Sequence, residues 1–221
     1  MERALIIGDS GGIGGAVKSA LEAKGVTVVG LSRSGDGLDV TSETSVAAAL
    51  GALQGSFDLI FVATGALEID GHEPEKTIKS LEPDAMLAQF KLNTVGPAMV
   101  LKYALRLLPR NGRAVVAVLS ARVGSIGDNG LGGWYSYRTA KAAVNQVVHS
   151  AAIEVGRSHK DAILVALHPG TVATKFTEKY AGRHKTVPAG EAAENLLNVI
   201  AALGPEQTGG FFDWAGKEVP W

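Results

Sequence analysis

The chain contains no cysteine, which excludes disulfides, thiolate nucleophiles and cysteine-held metals and suits a reducing cytoplasm. It lacks a charge surplus: 21 basic against 22 acidic side chains leave a net charge of −1, whereas a nucleic-acid-binding face needs a basic excess. No apolar run approaches the roughly 20 residues of a membrane span. A start that mixes charge with a short strand-like run predicts no secretory leader. The histidines, His72, His149, His159, His168 and His184, are scattered without ligand spacing, so no metal site is expected. What remains is a soluble chain of 221 residues, 46% hydrophobic, long enough to bury one sizeable core.

Glycine is what the sequence has in quantity, and its placement is informative. Leu5-Ile-Ile-Gly8-Asp-Ser10-Gly11-Gly12-Ile13-Gly14-Gly15 follows an apolar run, Ala4–Ile7, and precedes a stretch with Val17, Ala20 and Leu21 at helical spacing. A glycine-rich strand-to-helix turn brings backbone amides and the positive end of a helix dipole against a phosphate. Side chains there would block close approach of a pyrophosphate. The spacing, Gly8-x-x-x-Gly12-x-Gly14, differs from the tighter Gly-x-Gly-x-x-Gly fingerprint.

A second constellation lies in Trp134-Tyr-Ser-Tyr137-Arg-Thr-Ala-Lys141. Inside a helix, the four-residue spacing puts the Tyr137 hydroxyl and the Lys141 ammonium on one face, one turn apart. A phenol beside a fixed cation gives up its proton more readily, and such a group exchanges a proton with an alcohol oxygen near neutral pH.

Strand-like runs at Ala4–Ile7, Val26–Leu31, Leu59–Ala63, Arg113–Leu119, Ile163–Leu167 and Phe211–Asp213 alternate with helical stretches near Ile13–Lys24, Ser45–Leu53, Pro83–Leu108, Tyr135–Arg157 and Ala189–Ala202. This alternation predicts an α/β fold, a parallel sheet covered on both faces through right-handed crossovers. No repeat or linker marks a boundary, so residues 1–221 read as one domain. The segment Ser32–Asp39 is too short for a full crossover helix, and a clipped connection is expected there.

These motifs resemble the short-chain dehydrogenases/reductases along essentially the whole chain and in the family's order. The glycine turn looks like the cofactor loop, with Gly8, Ser10, Gly11, Gly12, Ile13 and Gly14. Asp39-Val40 looks like the adenine contact, and Asn93 in Leu92-Asn93-Thr-Val-Gly96-Pro97 like the helix asparagine. Tyr137 and Lys141 are similar to the catalytic pair, and Pro169-Gly170-Thr-Val172-Ala-Thr174 to the segment that holds the nicotinamide carboxamide. The resemblance implies a Rossmann-type doubly wound sheet of strand order 3-2-1-4-5-6-7. It further implies hydride transfer between a nicotinamide cofactor and a carbonyl or alcohol substrate, with Tyr137 as acid/base. Lys141 would also hold the nicotinamide ribose, and Asn93 would anchor a proton-relay water. Thr174–Tyr180 would form a mobile lid, and the long helices would pair in a homodimer or homotetramer.

Cofactor choice turns on the end of the second strand, where a carboxylate reads the ribose 2′-hydroxyl of NAD and repels a 2′-phosphate. The family's acidic position is here Ser32, followed by Arg33. A hydroxyl beside a guanidinium suits a phosphate, so NADP(H) is expected over NAD(H).

Two departures stand out. The family's Asn-Asn-Ala-Gly element reads Val62-Ala63-Thr64-Gly65, keeping only the glycine. The family's catalytic serine falls on Ala121, leaving Ser120, favoured by its place at a strand end, or Ser125 to orient the substrate, or neither. The loop to Trp134 and the closing Asp213-Trp-Ala-Gly-Lys-Glu-Val-Pro-Trp221 resemble the C-factor-like and sniffer-like carbonyl reductase branch. Trp134, Trp214 and Trp221 would line a pocket, meet a subunit or cap the core edges, and Gly182-Arg-His-Lys185 is a short basic patch. The departures also admit a second function: a dinucleotide-binding regulatory or signalling protein with residual catalytic machinery.

Overall fold

Apolar side chains fill both faces of every central strand, and the structure covers both. The computed structural model describes residues 1–174 and 186–221. Six strands make one parallel sheet: β1 (Arg3–Ile7), β2 (Thr27–Leu31), β3 (Leu59–Val62), β4 (Ala114–Leu119), β5 (Ala162–His168) and β8 (Phe211–Asp213). Their order is β2-β1-β3-β4-β5-β8. A two-stranded ladder pairs β6 (Val172–Ala173) with β7 (Val187–Pro188).

Ala4, Ile6, Phe61 and Val115 face α1 (Gly12–Ala23) and α7 (Ala189–Ala202), meeting Val17, Leu21, Leu196 and Ile200. Leu5, Ile7, Ile60 and Val116 face the other way, onto Leu50 of α3 (Glu43–Gly51), Val100 of α5 (Gly96–Ala104) and Val144 of α6 (Tyr135–Val155). Each fully buried aliphatic or aromatic side chain contributes about 1.5–3 kcal/mol, so the sheet is a rigid platform for whatever projects from its carboxyl edge.

Among the described residues the outer strand of the expected seven-strand order is absent. The other six run in the expected sequence, with β2 at the edge. Ser32 Oγ accepts from Gly35 N at 3.3 Å and caps the one-turn helix α2 (Arg33–Asp36), which Gly37 ends at φ 71°. Asp39 Oδ1 then accepts from Thr41 N and Oγ1 at 2.9 and 2.7 Å. Two consecutive turns bury Leu38 and Val40 where the longer connection would have laid down a strand. The crossover is clipped as its length foretells.

The expected helix Pro83–Leu108 is interrupted. It comprises α4 (Pro83–Phe90), a π-helical turn at Lys91–Val95, α5 and a 3₁₀ turn at Leu105–Leu107. Pro97 has no N–H to donate to the carbonyl of Asn93 four residues back, which favours the wider turn. Among the described residues no helix is long and apolar enough to cross a membrane, and no cluster of three potential metal ligands occurs. Beyond Thr174, the expected lid lies outside the described residues, as does the basic patch Gly182–Lys185.

Candidate active site

The site assembles at the carboxyl ends of β1, β3, β4 and β5, where parallel strands place their following loops on one edge and the strand order reverses between β1 and β3. After β1, Gly8 turns at φ 93° and donates its N–H to the Leu31 carbonyl at 2.7 Å, while Gly11 N returns to Gly8 O at 3.0 Å. A side chain at Gly14 would put its Cβ 2.2 Å from Gly8 O, and one at Gly12 would lie 2.6 Å from Thr174 Cγ2. The turn is therefore closed by backbone on one side and by Thr174 on the other. No side chain caps α1, whose N-cap is Gly11, so its first amides face the turn with Ser10 and Ile13 beside them. A cradle that any Cβ would fill, at an uncapped helix start, fits the pyrophosphate of a nicotinamide dinucleotide. Ala63 N bonds Ile7 O at 2.8 Å, carrying Thr64 and Gly65 to the same edge. Pro169 and Gly170 follow β5, with Trp214 lying 3.0 Å from the Cβ position of Gly170.

Gly65, Asn93 and Lys141 form one contact group. A Cβ at Gly65 would stand 2.6 Å from Asn93 Oδ1 and 3.4 Å from Lys141 Nζ. Asn93, fully buried in the π turn, donates to the Ala66 carbonyl (2.9 Å) and Gln89 Oε1 (2.6 Å) and accepts from Ala66 N (3.2 Å). Asparagine thus braces the strand-end loop that the Val62-Ala63 substitution leaves without side-chain support. Lys141 Nζ donates to the Leu119 carbonyl at 3.1 Å and lies 5.7 Å from the Tyr137 ring centre. The pair read from spacing is a pair in space.

Electrostatics differ from the sequence expectation. Burial pushes the Tyr137 phenol well above its ordinary value, and burial pushes the Lys141 ammonium down to about 8. Desolvation outweighs the attraction expected to lower the phenol. Lys141 therefore sits where it changes charge near neutral pH.

The two serines separate cleanly. Ser125 Oγ donates to the Pro220 carbonyl (2.5 Å) and accepts from Asp128 N (3.0 Å), so turning it toward a substrate would break both bonds. Ser120, at the end of β4 and 4% exposed, has a buried Oγ with no hydrogen-bond partner. An orphan hydroxyl beside the lysine's anchor at Leu119 is the available group. Gly124 packs its Cα on the Lys141 backbone, where a Cβ would come within 2.8 Å.

Arg33 is exposed, and Asp39 spends its carboxylate on Thr41. Val40 packs against Gly96. Trp134 lies edge-on to Tyr137, ring centres 6.3 Å apart. It sits at φ 53° after Gly132 and Gly133 at 65° and 68°, so three successive left-handed residues lead into α6. Trp221 stacks on Phe211, a core-edge role.

Sequence reading missed Glu75. Its buried carboxylate accepts from Ser136 N (3.2 Å) and from Ser136 Oγ, and its backbone carbonyl accepts from Trp134 N (2.5 Å). It caps α6 two residues from Tyr137, a negative charge at the positive helix end. The pairing spans 61 residues, and no local pattern signals it. Also missed is Asp9, a carboxylate inside the glycine turn that bonds Lys18 Nζ at 2.9 Å.

Comparison with known proteins bears on the family and the fold. The family model described as enoyl-(acyl carrier protein) reductase matches residues 8–202. The chain is 33% identical over 236 aligned positions, spanning the full length of both, to a 1-hydroxy-2-glutathionyl-2-methyl-3-butene dehydrogenase of Rhodococcus sp. strain AD45. It is 38% identical over 136 positions, 62% of this chain and 78% of the relative, to the C-signal of Myxococcus xanthus. In fold it is similar to the carbonyl reductase Sniffer of D. melanogaster (TM-score 0.79, 21% identity, all of both chains). An NADPH-bound carbonyl reductase from chicken fatty liver gives TM-score 0.84 at 22% identity, over 100% of this chain and 99% of the other. The chain belongs to the short-chain dehydrogenase/reductase family of oxidoreductases.

Proposed function

We propose that the protein is a carbonyl reductase or alcohol dehydrogenase that uses NADP(H), with Tyr137 as its general acid/base. The observation that carries this reading is the convergence of Tyr137, Lys141, Asn93 and the unpartnered Ser120 hydroxyl beside the glycine cradle. Gly8, Gly11, Gly12 and Gly14 would receive the pyrophosphate. Asp39-Val40 would flank the adenine, and Ala63, Thr64 and Gly65 with Pro169, Gly170, Val172 and Thr174 would line the nicotinamide half. Once bound there, the cofactor supplies the hydride or accepts it.

Tyr137 gives its phenolic proton to the oxygen of a carbonyl substrate, or takes one from an alcohol. Lys141, tied to the Leu119 carbonyl, holds a positive charge near the phenolate left behind, and Ser120 Oγ donates to the reacting oxygen to orient it. Asn93 keeps Gly65 and Lys141 in register. Arg33 supports NADP(H), since its exposed guanidinium is free to meet a 2′-phosphate from the β2 end. The cytoplasm and a homodimer or homotetramer fit this reading.

A signalling protein that binds dinucleotide is the second reading, carried by Ala121 in the serine position and by the likeness to C-signal. One experiment separates them. NADPH and NADH are titrated by energy transfer from tryptophan, and aldehydes and ketones are screened for turnover, with Tyr137→Phe as control. Turnover lost at least about 100-fold in the variant, with binding retained, supports the enzyme. Binding without turnover in the wild-type protein favours the second reading, and absence of binding removes both.

A further inference from the structure

Gly30 is inside β2, at a φ outside the left-handed region, so its backbone does not require glycine. Glycine weakens a strand interior, and where it persists something else often occupies the side-chain space. That occupant is Asp9. A Cβ at position 30 would lie 2.0 Å from Asp9 Oδ2 and 2.6 Å from its Cγ. The glycine turn reaches back over the end of β2 and lays a carboxylate where residue 30 leaves room.

The carboxylate is held there. Its side chain is 14% exposed, and Lys18 Nζ from α1 pairs with it at 2.9 Å. Burial works against its charge, but hydrogen bonds from Lys18 and Ser32 prevail and keep the acid ionised well below neutrality. Ser32 is the position where an acid reading the adenosine ribose is expected and absent. Its own hydroxyl is engaged, accepting from Gly35 N.

We propose that Asp9 is a cofactor-specificity residue: reaching across Gly30 to Ser32, it supplies from the glycine turn the carboxylate that β2 lacks. It accepts the ribose 2′-hydroxyl and repels a 2′-phosphate. Arg33 and Lys18 act in the opposite sense, so selectivity is a contest between one partly buried carboxylate and two cations at the same edge. The proposal rests on the cofactor site described above and narrows its preference: NADH stays a competent partner beside NADPH, and Asp9 is the reason.

The test measures dissociation constants of NADPH and NADH by fluorescence energy transfer, and of 2′,5′-ADP and 5′-AMP by calorimetry, for wild type, Asp9→Asn and Lys18→Ala. Asp9→Asn keeps the shape and removes the charge. It is expected to raise the NADPH-over-NADH affinity ratio at least about tenfold, one tenfold step being about 1.4 kcal/mol, with the same sign for the two adenosine fragments. Lys18→Ala leaves the carboxylate without its counter-ion and is expected to lower that ratio at least about threefold. Circular dichroism establishes that each variant is folded, and Lys18→Ala alone decides if Asp9→Asn is not. Equal weakening of both cofactors by Asp9→Asn, or an unmoved ratio in the folded variants, makes Asp9 a loop brace only and overturns the proposal. A wild-type protein that binds no nucleotide overturns the function proposed above and this inference with it.

Discussion

Ser125 donates its hydroxyl to the carbonyl oxygen of Pro220 at 2.5 Å, 95 residues away, and Gly127 N bonds Trp221 O at 2.7 Å. The loop that leads to α6 is thereby sewn to Pro220 and Trp221. Ser125→Ala is expected to cost about 1–2 kcal/mol of stability with kcat unchanged. Ser120→Ala is expected to leave stability within about 0.5 kcal/mol of wild type and to lower kcat roughly 10- to 100-fold. Thermal melts and steady-state kinetics on both variants check this, and full turnover in Ser120→Ala with loss in Ser125→Ala would reverse the assignment.

Lys141 gives the free protein an unusual alkaline profile. Its folded value of about 8 lies below the ordinary 10.5, so between those pH values the unfolded chain holds a proton that the folded one has released. Stability therefore rises with pH through that window, by at most about 3 kcal/mol. Tyr137 works the other way: its folded value is raised, so above about pH 10 the unfolded chain ionises first and stability falls. Urea midpoints from pH 7 to 11 should climb and then drop, and Lys141→Met should abolish the climb.

His168 shapes the acid side. Burial first, and the neighbouring Arg122 cation second, push it down to about 4 from 6.5. As pH falls through that interval the unfolded chain takes up a proton that the folded chain refuses, so stability declines, by at most about 3 kcal/mol. Below about 4, protonation of Asp9 and Asp39, both held low in the folded state, removes more. His168→Gln should flatten the decline above pH 4 without altering it below, as read from denaturation midpoints.

Glu75→Gln should expose how much of the tyrosine's placement comes from the helix cap. The amide still fills the space, but it accepts more weakly from Ser136 and loses the charge that meets the helix dipole. We expect a loss of about 1–2 kcal/mol in stability and a kcat several-fold lower, with NADPH affinity unchanged. An unaltered kcat would show that α6 keeps Tyr137 in place without Glu75.

What the sequence disclosed was what short spacings control. Gly8 to Gly14 lie in one turn, and Tyr137 and Lys141 in one turn of helix, so local geometry alone places them. The clipped connection after Ser32 was legible because too few residues exist to build the alternative. The loss of the outer strand then followed from two side-chain-capped turns that only coordinates reveal. Long-range partnerships were hidden: Ser136 with Glu75, Ser125 with Pro220, Asn93 with Ala66. Choosing between Ser120 and Ser125 depended on which hydroxyl was already spoken for, a question about the far end of the chain. Asp9 did leave a trace, an acid among glycines, but its meaning depends on Gly30, a residue of another strand.

The missing outer strand has a cost in self-association. As the edge strand among the described residues, β2 offers part of its N–H and C=O groups to any extended peptide of matching length. Refolding intermediates and crowded solutions are where such an edge recruits a foreign strand, and a polymer could grow from it. Two details limit the hazard: β2 is only five residues long, and Gly30 interrupts its side-chain surface. The shortened connection after Ser32 thus leaves this domain with β2 as an open frontier of its sheet.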